Sequence, residues 1–104
     1  MMSRESILQE VSAERDRQEA KWGPQDWPIC SKHERTAYRS LVPFMQGECN
    51  KAAQDGTLTF RHILAEEYVE AFAESDPIRQ REELVQVAAV AVQMIEVIDR
   101  RLGK

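Results

Sequence analysis

Apolar side chains recur every three or four residues through most of the chain, and no run of alternating β-branched residues points to a strand. The spacing predicts four helices. The first runs from Ser3, a candidate N-cap, to Trp22, and stops at Gly23-Pro24. Its expected inner stripe is Ile7, Val11, Glu14, Gln18 and Trp22, apolar at the top and polar below. Residues from Gly23 to about Thr36 hold two prolines and no consistent period, so they read as a loop. A second helix is expected from about Thr36 to Gln54, and Pro43 should either kink it or mark its first turn. Asp55-Gly56 ends it with a left-handed cap. The third helix spans about Thr59 to Ser75, with Phe60, Ile63, Leu64, Ala71 and Phe72 as core contacts. Asp76-Pro77 opens the fourth as N-cap and first helical residue, and the helix continues to about Leu102, ending at Gly103. A short corner makes helices three and four antiparallel neighbours.

Within the fourth helix, 12 of the 15 residues from Leu84 to Ile98 are apolar. The run falls short of the roughly 20 residues that span a bilayer, so it is expected to be buried on most sides in protein. It is also more apolar than a four-helix monomer of this size needs, which predicts a homo-oligomer. At 104 residues the chain reads as a single domain, 1–104, of all-α class. A net charge of -4 argues against a nucleic-acid-binding surface. No charged-then-apolar leader suggests secretion. Cys30 and Cys49 fit neither a disulfide framework nor a zinc site and read as reduced thiols, so a cytoplasmic setting is expected.

The candidate chemistry lies in "LAEEYVEAFAE" (residues 64–74) and "REELVQ" (residues 81–86). Glu67 and Glu70 share a face of the third helix, and Glu83 and Gln86 share one on the fourth. Glu67 also falls on the stripe of Phe60 and Ile63. The 12 residues between Glu70 and Glu83 include the Asp76-Pro77 corner, so the two pairs can face each other near the closed end of a hairpin. Carboxylates packed together must take up protons or find a cation. A hard divalent ion such as Mg²⁺ suits oxygen donors from facing helices. The plainer reading, acids on a wet helix face, stays open at this point. Glu66, Glu74, Glu82 and Glu96 are assigned to solvent.

At these residues the chain resembles the MazG-like all-α nucleoside triphosphate pyrophosphohydrolases. Their signature is E-x-x-E on one helix, a short corner, then E-x-x-D on the next. "EYVE" (67–70) matches the first half and "ELVQ" (83–86) stands where the second belongs, with Gln86 in place of Asp. "ERDRQEAKWG", "GTLTFRHILAEE" and "REELVQVAAVAVQMIEVIDRR" extend the likeness over nearly the whole chain. The resemblance implies a four-helix bundle that assembles as a dimer or dimer of dimers. It also implies hydrolysis of a nucleoside triphosphate to monophosphate and pyrophosphate with Mg²⁺, or Mn²⁺ in its place. Glu67, Glu70, Glu83 and Gln86 would then be metal ligands, with one of the glutamates free to orient the attacking water. Gln18, Trp22 and Trp27 match the positions that recognise the base. Gln86 supplies no negative charge and no base, so a relative that binds nucleotide without hydrolysis, or a purely structural module, is the alternative.

Arg100, with Arg101 and Lys104, could meet a polyphosphate, although cations there also offset the helix dipole. Trp22 and Trp27 suit stacking on a base but equally suit packing. His33 and His62 are isolated, and "CSKH" (30–33) has no second half to complete a metal site.

Overall fold

The computed structural model describes residues 3–104 and contains four α-helices: α1 (Arg4–Trp22), α2 (Lys32–Asp55), α3 (Phe60–Ala73) and α4 (Pro77–Arg101). No strand occurs among the described residues, and the fold is all-α. The chain divides into two compact units, one made of the segment up to Pro28 with Val92–Lys104, the other of Ile29–Ala91. Helix α4 contributes to both.

In the first unit, Ser3 caps α1 by accepting a hydrogen bond from the Ser6 amide at 3.1 Å. Gly23, at a φ of 72°, ends the helix and donates its N–H to Glu19 O. Ile7 is buried, but the rest of the expected inner stripe is not. Val11 and Trp22 are exposed, Glu14 pairs with Arg17 at 2.7 Å, and the Gln18 amide oxygen accepts from Arg15 at 2.8 Å. The reason lies in the sequence: below Val11 the helix has charged or polar side chains on every face, and these satisfy one another three residues apart rather than enter a core. Arg4 meets Glu96 of α4 at 3.4 Å. At the end of α4, Gly103 adopts a φ of 76°, and the Lys104 and Gly103 amides donate to Asp99 O and Arg100 O, closing the helix with a Schellman motif.

In the second unit, α2 begins at Lys32, earlier than the expected Thr36. Ser31 and Glu34 form a capping box: the Glu34 amide donates to Ser31 Oγ at 3.0 Å and the Ser31 amide to Glu34 Oε1 at 2.7 Å. The bonds from Ser31 also hold the Glu34 carboxyl below its ordinary range. The helix runs through Pro43, which neither starts nor ends it. Pro43 has no N–H to offer the Arg39 carbonyl, so one helical bond is forfeited there. Gly56, left-handed at a φ of 73°, closes α2, with the Thr57 amide donating to Ala52 O at 2.8 Å.

Helix α3 then packs antiparallel to α2. Its start is fixed by His62, whose Nδ1 accepts the Thr59 amide at 3.1 Å, so this histidine has a capping role. Cys49 and Ala52 of α2 and Val69 and Ala71 of α3 are buried, small or β-branched side chains that let the helices approach. Tyr38 lies against Phe72 with ring centroids 5.1 Å apart and the rings tilted by 41°, and Tyr68 meets both rings edge-on. Cys49 donates its thiol to His62 O at 3.2 Å, and burial pushes that thiol up to about 11. Asp76 opens α4 as expected: its carboxylate accepts the Ile78 amide at 3.1 Å and its carbonyl the Gln80 amide. None of the helices in the described residues is long and apolar enough to cross a membrane.

Candidate metal centre

Within the second unit, the hairpin of α3 and α4 brings three carboxylates together. Glu67 and Glu70 lie one turn apart on α3, and Glu83 faces them from the start of α4. One carboxylate oxygen of each lies within 4.8 Å of the others. This is the only group of three or more metal-capable side chains among the described residues. All three residues are half-buried.

The electrostatics are those of like charges held close together. Two like charges about 4 Å apart repel by about 4 kcal/mol at an effective dielectric near 20. Burial, then the charges of Glu83 and Glu66, push the Glu67 carboxyl above its usual range. Burial pushes Glu70 the same way, reinforced by Glu67, Glu83 and Glu66 and partly offset by the nearby Gln46 amide of α2. Glu67 Oε2 and Glu83 Oε2 are buried and have no hydrogen-bond partner within the protein. A buried carboxylate oxygen without a donor is costly. An all-oxygen donor set with two open acceptors fits a hard divalent cation, which would satisfy the lone pairs and the repulsion at once.

Gln86 follows Glu83 by one turn on α4 and is exposed. Glu82 is exposed, as expected. Glu66, Glu74 and Glu96 correct their assignment to solvent, because all three are half-buried. Glu74 accepts the Asp76 amide at 3.0 Å and Glu96 pairs with Arg4. Glu66 adds negative charge beside the cluster, and it lies near enough to Cys49 to raise that thiol. Its proximity could have been read from position, since it is one turn before Glu70. Gln46 gave no such signal, because its approach depends on how α2 and α3 pair.

Gln18, Trp22, Trp27 and Arg100 all belong to the other unit and are exposed. Trp22 and Trp27 are 62% and 74% exposed, and Lys21 Nζ lies 4.9 Å from the Trp22 ring centre. Arg100 stands in the last turn of α4. Cys30 donates to Phe72 O at 3.6 Å and takes part in no metal-capable group. Comparison with protein-family models, curated proteins and solved structures finds no match to this chain.

Proposed function

We propose that this protein is a nucleoside triphosphate pyrophosphohydrolase that uses Mg²⁺, or Mn²⁺, held by Glu67, Glu70 and Glu83. The observation that carries the reading is the convergence of these three carboxylates, with two buried oxygens lacking any donor. A divalent cation bound there would supply neutralisation of polyphosphate charge and activation of water. The water oxygen attacks the α-phosphorus, the bond from that phosphorus to the bridging oxygen breaks, and pyrophosphate leaves from the monophosphate. One of the three glutamates, rather than binding the cation, would orient the attacking water and take the proton that it loses.

Incubation with a panel of NTPs and dNTPs is expected to release pyrophosphate and monophosphate in equal amounts, dependent on Mg²⁺ or Mn²⁺. No turnover across that panel with either ion removes the proposal. A second reading, a relative that binds nucleotide without hydrolysing it, is favoured by exposed Gln86, which leaves the site one anion short of E-x-x-D. Calorimetry separates the two: tight nucleotide binding that stays unchanged over hours of incubation is expected of the binder alone, and Gln86→Asp is expected to raise turnover in a weakened enzyme and to do nothing in a purely structural module.

The proposed assembly is a homo-oligomer. Ile78, Val85 and Ile98 of α4 are more than half exposed, a supply of apolar surface that a second copy would remove from water. Light scattering behind size exclusion is expected to give a multiple of 12.0 kDa at micromolar concentration. A monomer there rules the assembly out.

A further inference from the structure

Carboxylates that repel one another tend to push α3 and α4 apart, so the hairpin needs a tie beside them. Gln80 is 7% exposed, and its Nε2 donates to the Ala71 carbonyl at 3.1 Å. Ala71 directly follows Glu70 and is fully buried, while Gln80 stands one turn before Glu83 on α4. The last carbonyls of a helix have no donors of their own. Those of Phe72 and Ala73 are met by Cys30 Sγ at 3.6 Å and Arg39 Nε at 3.3 Å, both from segments that precede α3. Of these three donors, Gln80 alone comes from α4. Its amide therefore fixes how far α4 slides along α3, and with it the level at which Glu83 meets Glu67 and Glu70. Pro77 and the Asp76 cap fix where α4 starts, not that register.

We infer that Gln80 is a positioning residue for the three-carboxylate site, acting through the Ala71 carbonyl to hold Glu83 against Glu67 and Glu70. The inference deepens the proposed metal-dependent reading and rests on it for its functional consequence. Gln80 itself touches neither cation nor substrate. Losing such an outer partner typically weakens metal binding by about 10- to 100-fold.

The test compares Gln80→Met, similar in length but without a donor, with Arg39→Met, which removes the donor to Ala73 instead. Two measurements are made on each full-length protein: cross-helix nuclear Overhauser contacts between the Glu67 and Glu83 side chains without metal, and Mn²⁺ affinity by calorimetry. Gln80→Met is expected to lose those contacts and to weaken Mn²⁺ binding by about 10-fold or more, while Arg39→Met keeps both. Retained contacts in Gln80→Met, or equal losses in both variants, overturn the inference. If the wild type takes up no Mn²⁺ yet Gln80→Met still loses the contacts, the positioning role stands and the metal reading falls. Should Gln80→Met not fold, Gln80→Asn, too short to reach Ala71, replaces it. If that also fails to fold, Gln80 serves the fold at large and the inference is overturned.

Discussion

Glu67→Gln is expected to abolish pyrophosphate release and, in the same molecule, to stabilise the metal-free protein. The two effects share a cause. Glu67 is half-buried, its Oε2 has no donor, and Glu83 and Glu66 repel its charge. An amide of the same shape removes the repulsion and takes away an anionic ligand. Outer partners of metal ligands commonly contribute about 10- to 100-fold in affinity or activity, so loss of a ligand itself should cost at least about 100-fold in turnover. Relief of strain at a functional site commonly returns on the order of 1 kcal/mol of stability, which is a few degrees in the thermal midpoint. Turnover measured beside thermal unfolding in chelator checks both. Glu82→Gln, a change on the exposed face of α4, should leave both unchanged. Wild-type turnover in Glu67→Gln places the chemistry elsewhere. A lowered midpoint shows instead that this carboxylate is satisfied where it sits.

The elements of this fold were legible wherever the signal was local. Asp76-Pro77, Gly56, Gly23 and Gly103 mark helix ends by what their backbones can adopt, and all four stand where the helices begin or stop. The start of α2 was equally local, since Ser31 and Glu34 have capping-box spacing, but the prolines and mixed polarity just before it masked the signal. Pro43 was harder, because surrounding helix can absorb one missing bond and the sequence alone does not price that exchange. In helix α1 the three-and-four spacing continues beyond Ile7, but the residues that follow are mostly too polar to bury, and Val11, Gln18 and Trp22 lie in solvent.

At the candidate site, convergence of Glu67, Glu70 and Glu83 followed from one helical period and a short corner. Gln46 and Gln80 did not, because their roles arise from tertiary pairing: α2 meeting α3 in one case, α4 reaching back to an α3 carbonyl in the other. Glutamines also carry no charge pattern to betray them. Acidic ligands can thus be read from sequence more readily than the neutral residues that aim them.

The stability of the protein should depend on pH in opposite ways with and without a divalent cation. Glu67 and Glu70 bind protons more tightly in the folded chain than at their ordinary value of 4.5. A raised carboxyl contributes stability that is fully present below the unfolded value and is lost as pH rises through the folded one. In chelator, these two groups therefore make the protein lose stability as pH climbs above 4.5. With Mg²⁺ or Mn²⁺ the same ionisation creates the site, and a cation at 100 times its dissociation constant adds about 2.7 kcal/mol. That gain should be full near about pH 7 and fade on acidification, when protons displace the metal from its ligands. Glu34 works the other way: its lowered carboxyl gives stability present above 4.5 and lost as pH falls through its folded value. Its capping box is the same with or without metal, so it cancels when the two curves are subtracted. Cys49, raised from 9.0 to about 11, acts only at alkaline pH. Urea unfolding across this range, in chelator and in excess Mg²⁺, should give curves that converge in acid and separate towards neutrality. Superimposed curves at every pH mean that no cation answers the repulsion among Glu67, Glu70 and Glu83, and the acids then persist by taking up protons instead.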